Sequence, residues 1–147
     1  MDGTHIDYMD ADEMWKQRIA EEWSEIAAQH MHIEDGFSIL ALCNDEPVGL
    51  ISVYWRELPP PLADTYEGYI DIIEVLAEFR RRRIATRMIE MSAERAQEQG
   101  VYQLRAWSSE DKMEAISMWE ALGFGLYPAT TYPKGNEVRG YFATSVL

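Results

Sequence analysis

Four consecutive arginines, Arg80-Arg81-Arg82-Arg83, stand between an isoleucine-rich run and a run of helical period. Tyr69 to Leu76 reads as a strand. Ala85, Met88, Ile89, Ser92, Ala93 and Ala96 form the small and apolar stripe of a helix, and Gly100 is placed to end it. Val101 to Trp107 reads as the next strand. A strand, a helix and a strand over residues 69 to 107 predict a right-handed crossover joining parallel strands.

The rest of the chain supplies the flanks. Thr4 to Met9 reads as a short first strand. Trp15, Ile19, Trp23, Ile26 and Ala27 follow at helical steps and predict one amphipathic helix to about His30. Phe37 to Cys43 and Val48 to Trp55 are β-rich runs, joined by the hairpin loop Asn44-Asp45-Glu46-Pro47. The prolines of Leu58-Pro59-Pro60-Pro61-Leu62 exclude a sheet interior, so residues 57–68 read as a loop. Met113 to Leu122 reads as a short helix stopped by Gly123, with last strands at Leu126 to Thr130 and Val138 to Val146. The expected fold is mixed α/β: a mostly antiparallel central sheet with a parallel β-α-β core and flanking helices. At 147 residues and 47% hydrophobic, the chain suits one packed domain over residues 1–147.

The arginines stand at the wrong end of a helix. The macrodipole favours anions at an N-terminus, and four adjacent like charges repel. In a chain of net charge −13, four of thirteen basic residues at one turn call for a reason. A bound polyanion is one, held by helix N-terminal amides and guanidinium groups together. Ala85 is small enough to let backbone approach a ligand. A solvated charge run paired with Glu78 and Glu90 is the bland alternative. The acidic balance argues against a nucleic acid or an anionic membrane as partner. No secretory signal and no membrane span are visible, and a single cysteine, Cys43, excludes an internal disulfide and fits a reducing cytoplasm.

Val75-Leu76-Ala77-Glu78-Phe79-Arg80-Arg81-Arg82-Arg83-Ile84-Ala85 resembles the acetyl-CoA signature of the GNAT superfamily of N-acetyltransferases. That signature ends Arg/Gln-x-x-Gly-x-Gly/Ala. Arg80 and Ala85 fit its ends, and Arg83 stands where a glycine is usual. Either the turn needs no positive φ there, or Arg83 tolerates one at some cost. Ala115-Ile116-Ser117-Met118-Trp119-Glu120-Ala121-Leu122-Gly123-Phe124 is similar to a second family segment, Ala-Ile-x-Leu-Tyr-Glu-x-Leu-Gly-Phe. The resemblance covers most of the chain from about residue 37 onward.

The resemblance implies acetyl-CoA as cosubstrate, with pantetheine between two splayed strands. Val75 and Ala77 would pair with it, Leu76 would adjoin it, and the pyrophosphate would rest on Arg81, Arg82, Arg83, Ile84, Ala85 and Thr86. Lys112 is a candidate contact to a CoA phosphate, and Trp119 packs against pantetheine or the core. Family members often form homodimers, so the resemblance admits a homodimer and leaves the oligomeric state open. The acceptor would be a primary amine of a small molecule or protein, and the acidic chain leans toward a cationic one.

An alkylammonium has a pKa of about 10, so acyl transfer near neutral pH needs a proton acceptor. Glu74, an acid in an apolar strand, is the leading candidate, with desolvation expected to raise its pKa. Asp71 is the reserve. A backbone N–H near Val75 or Leu76 would polarise the thioester carbonyl. Trp119 replaces the family's usual tyrosine acid and cannot ionise. Tyr127, Tyr132 or Ser108 would substitute, or water would suffice for a thiolate of pKa about 8.5. His30 and His32 do not share a helix face, so no metal site is expected. Cys43 reads as core. Trp15 and Trp23 are core or the wall of a cleft, and Tyr54, Trp55 and Tyr66 flank the proline loop. The missing tyrosine leaves a second class open, a CoA-binding sensor that has lost catalysis.

Overall fold

The structure is a computed structural model that describes residues 5–62 and 64–147. The expected first strand begins outside them at Thr4. Its described part is β1, Asp7–Asp10. Helices α1 (Glu13–Glu22) and α2 (Glu25–Gln29) follow, then β2 (Gly36–Cys43), β3 (Glu46–Glu57) and β4 (Tyr66–Val75). A short turn at Ala77–Phe79 leads to α3 (Ile84–Glu98), β5 (Gln103–Ser109), α4 (Met113–Ala121), β6 (Gly125–Thr131) and β7 (Val138–Val146).

The seven strands form one sheet in the order β1-β2-β3-β4-β5-β7-β6. Every pair is antiparallel except β4 with β5. The mixed α/β fold read from the sequence is therefore the fold observed. The parallel contact is short: only Gly68 with Leu104 and Tyr69 with Arg105 are paired. Beyond Tyr69 the two strands part. Gly68 permits the close approach that precedes this splay, since a Cβ there would lie 2.8 Å from the Leu104 side chain and 3.2 Å from Val53.

Two apolar clusters hold the sheet between helix layers. On one face Ile39, Ile51, Val53, Ile70 and Leu104 pack with Ile84, Met88, Ile89 and Ala96 of α3 and Trp119 of α4. On the other, Leu40, Leu42 and Leu50 pack with Ile19, Ala27 and Ala28 of α1 and α2. Each fully buried aliphatic side chain contributes about 1.5–3 kcal/mol.

Two expectations are corrected. The single helix to His30 is broken at Trp23-Ser24. The Ser24 hydroxyl accepts the Ala27 N–H at 3.1 Å and starts α2 afresh, as Asp12 does for α1 by accepting from Trp15 at 2.9 Å. The loop read as residues 57–68 is shorter. Tyr66, Glu67 and Gly68 pair with Glu57, Arg56 and Trp55 and belong to β4. An ionisable residue in the run hides the strand signal, and a partner on β3 makes its burial tolerable. No helix among the described residues is long and apolar enough to cross a membrane.

Candidate functional site

Where β4 and β5 part, a cleft of about 1190 Å³ opens. Its walls are the end of β4 from Ile73 to Val75, Leu76 and the Ala77–Phe79 turn, the arginine turn, the start of α3 and one side of α4, with Trp23 at the α1 end. Of the residues singled out above, Glu74, Val75, Leu76, Ala77, Arg80, Arg81, Arg83, Ile84, Ala85 and Thr86 line it.

The arginine turn is built on two left-handed residues, Arg81 at φ 66° and Arg83 at φ 62°. The positive φ at Arg83 settles one open question: the turn requires it, although the residue is not glycine. Arg83 stands at the N-cap of α3 and makes no capping hydrogen bond. The first amides of α3 thus lack the side-chain cap that α1 and α2 possess, and no acid lies in the first turn. A helix end with open N–H groups and unopposed positive dipole is suited to an anion.

A left-handed conformation costs an ordinary residue about 1–2 kcal/mol. Glycine would lose about 0.5–1 kcal/mol through backbone entropy. Arg83→Gly is therefore expected to raise the melting temperature slightly. A fall on thermal denaturation would mean that the Arg83 side chain makes contacts that outweigh the strain.

Alternation along β4 assigns its amides. The Leu76 N–H bonds to the Val48 carbonyl at 2.9 Å, toward β3. The backbone groups of Val75 then point to the other edge, into the splay. The Val75 carbonyl takes the Arg80 Nε–H at 3.2 Å. Of the two amides considered for polarising a carbonyl, Leu76 is engaged and Val75 faces the cleft.

The remaining candidates are distributed differently. Glu74 is exposed on the cleft wall, so the expected desolvation of its carboxylate is absent. Its position near the end of β4 leaves it at the rim rather than inside. Asp71 lies outside the cleft lining, among histidines: His32 Nε2 is 2.8 Å and His30 Nδ1 3.2 Å from its Oδ2. Arg82 is turned out of the cleft, its guanidinium 5.1 Å from the centre of the Phe79 ring. Lys112 is exposed at the start of α4, next to Met113, which lines the cleft, but is not itself part of the lining.

Trp119 is 2% exposed, packed against Phe124, and donates its indole N–H to Ser108 Oγ at 3.1 Å. It is a core residue, and it holds Ser108 in the core with it. Tyr127 sits on β6, stacked on Phe142 away from the cleft, and Tyr132 is exposed beyond the end of β6. None of the three proposed substitutes for a tyrosine acid lines the cleft. Cys43 is buried.

Sequence reasoning passed over a buried charge network beside the splay. Glu67 is 0% exposed. Arg56 reaches its Oε2 through Nε at 2.8 Å and Nη2 at 2.6 Å, while Gln103 donates to Oε1 at 2.8 Å and Arg105 Nε lies 3.2 Å from the same oxygen. The Arg56 guanidinium also covers the Tyr69 ring at 4.0 Å. Burial pushes the Tyr69 phenol above its ordinary pKa, against the pull of Arg56. Tyr69 is thus a neutral hydrogen-bond donor at physiological pH. Only the strand register brings Glu67 to Arg56 and Gln103, and no local motif announces it.

The chain matches the family model described as acetyltransferase (GNAT) family over residues 4–124. Its fold is similar to that of Arabidopsis thaliana NAA60 in complex with acetyl-CoA, at a TM-score of 0.74 and 14% identity over 97% of this chain and 100% of that one. It is also similar to the ribosomal-protein-S18-alanine N-acetyltransferase from Escherichia coli, at 0.71 and 16% over 97% and 94%. A GNAT-family acetyltransferase from Elizabethkingia anophelis with acetyl-CoA bound scores 0.66 at 17% identity over 98% and 99%. A search of curated proteins by sequence finds no match.

Proposed function

We propose, from the premise that this chain belongs to the acetyltransferase (GNAT) family, that it transfers the acetyl group of acetyl-CoA directly to a primary amine. The observation that carries this reading is the uncapped N-terminus of α3, opening with a left-handed arginine turn onto the cleft left by the splayed strands. Neighbours of the same fold have been solved with acetyl-CoA bound, which supports it as the cosubstrate.

In this reading the amides from Arg81 to Thr86, with Arg80, Arg81 and Arg83, hold the pyrophosphate. Pantetheine lies along the free edge of β4. The Val75 carbonyl, which Arg80 now occupies, becomes available when Arg80 turns to the phosphates.

Two carboxylates line the cleft wall, Glu74 on β4 and Glu114 on α4 beside Arg80; Glu74 takes a proton from the acceptor's ammonium, directly or through water. The amine nitrogen then attacks the thioester carbon, and negative charge grows on the carbonyl oxygen. The Val75 N–H, fixed in the strand and facing that edge, stabilises it. The C–S bond breaks, and the thiolate departs with the proton that the nitrogen loses on forming the amide. A thiol of pKa about 8.5 needs no dedicated acid. This suits a site where Trp119 replaces the tyrosine and keeps its N–H on Ser108.

The buried Trp119 is also what favours a sensor without catalysis. Thiol release from acetyl-CoA, followed with a panel of amines, separates the two. The transferase reading expects turnover with at least one primary amine. Binding of CoA with no turnover on any amine supports the sensor, and absence of CoA binding overturns both.

A further inference from the structure

Asp71 is the extra residue of a bulge in β4. Ile72 pairs with Ser52 and Ile70 with Val53, and no residue of β3 stands opposite Asp71. In a regular strand Asp71 would face away from Ile72 and Glu74. The bulge turns it to their side, the face covered by α1 and α2. There its Oδ2 meets His32 and His30, as described above. His32 Nδ1 lies 3.0 Å from both oxygens of Asp35, and its ring stacks on Tyr54 with centroids 4.5 Å apart. The His32 backbone N–H bonds to Ser52 Oγ at 2.7 Å and anchors the segment to the sheet.

A carboxylate thus stands at each ring nitrogen of His32, Asp35 at Nδ1 and Asp71 at Nε2. Arg56, the nearest cation on neighbouring β3, is paired with buried Glu67. Among the described residues neither Asp35 nor Asp71 is paired with a lysine or arginine. Asp71 Oδ1 accepts no hydrogen bond among the described residues, and the side chain keeps 24% exposure.

Asp71 is thus held in a fixed orientation with one oxygen open. It shares a face with Glu74, and three residues of strand separate them by about 10 Å. Glu74 lines the cleft and Asp71 does not. An amine reacting beside Glu74 leaves Asp71 for a different part of the same acceptor. We propose that Asp71, positioned by His30 and His32, binds a second cationic group of the acceptor, so that the enzyme prefers di- and polyamines to monoamines. The inference rests on the acetyltransferase reading.

The test compares kcat/KM for spermidine and for octylamine, a chain of similar length with one charge. The unmodified protein is expected to favour spermidine. Asp71→Asn is expected to lower the ratio of the two values about tenfold, the size of a hydrogen bond to a charged group. His32→Asn acts in the same direction. His32→Gln, which keeps an N–H toward Asp71, recovers part of the ratio, a rescue that a loss of fold would not show. An unchanged ratio in Asp71→Asn, or no turnover of spermidine by the unmodified protein, overturns the inference. Acetyl-CoA binding and octylamine turnover, measured on the same samples, judge the acetyltransferase reading separately.

Discussion

Replacing Glu74 by glutamine is expected to lower kcat by about a hundredfold to a thousandfold, the lower part of the range in which a positioned proton acceptor contributes. The amide keeps the size of the side chain and removes its capacity to accept a proton. Affinity for CoA is expected to stay within about twofold, because the phosphates are held on the far side of Val75 by groups the change does not touch. The split between the two measurements is the informative part. A loss in kcat alone places Glu74 at the amine. A parallel loss of CoA binding would give it a structural part in the end of β4. Glu74 is exposed, so its replacement is expected to leave the melting temperature almost unchanged. If kcat also stayed unchanged, Glu74 would not be the proton acceptor.

The second large effect concerns stability. Glu67→Ala leaves Arg56 and Arg105 facing each other's charge in a place that no water reaches at Glu67 itself. Removing one partner of a buried ion pair costs about 3–5 kcal/mol. The two arginine side chains are 32% and 23% exposed, so part of their charge returns to solvent and the lower end, about 3 kcal/mol, is expected. For a chain of this length that is a fall in melting temperature of about 10 °C. Glu67→Gln keeps the acceptor oxygen for Gln103 and is expected to cost less. Urea unfolding of both variants measures the difference. Loss of under about 1 kcal/mol in Glu67→Ala would show that the arginines find solvent freely. The consequence for function is indirect. Glu67 immediately precedes the two parallel pairs, and its carboxylate lies 3.2 Å from Arg105 of the second, so softening it loosens the hinge from which the cleft opens.

These two carboxylates show which features of the molecule the sequence displays and which it conceals. The crossover from β4 through α3 to β5 was legible because its signals are local. An isoleucine run, a stripe at helical period and a terminal glycine each act within a few residues. The arginine turn was legible for a similar reason, since charges that oppose a helix dipole are anomalous wherever they occur. Glu67 was concealed because its partners come from β3 and β5. Read alone, Thr65-Tyr66-Glu67-Gly68 looks like loop.

The contact of Asp71 with His32 was concealed by a bulge, which shifts the alternation of a strand without leaving a residue signature. The break between α1 and α2 depended on whether Ser24 would cap, a choice between two local hydrogen-bonding patterns of similar energy. Glu74 was read as desolvated from its apolar neighbours in sequence. Its exposure is set instead by the cleft, which exists only once β4 and β5 diverge. Trp119 was left between pantetheine and the core, and only the packing decides it: the indole is buried on Ser108.

The central claim is that the open N-terminus of α3 and the free edge of β4 hold acetyl-CoA. Titration of isotope-labelled protein with CoA, followed through backbone amide resonances, addresses it residue by residue. The account predicts the largest shifts at the amides of Arg81 to Thr86 and at Val75, with little change at Leu76, whose amide is already bonded to Val48. Saturating CoA that leaves the arginine turn and Val75 unmoved would contradict it.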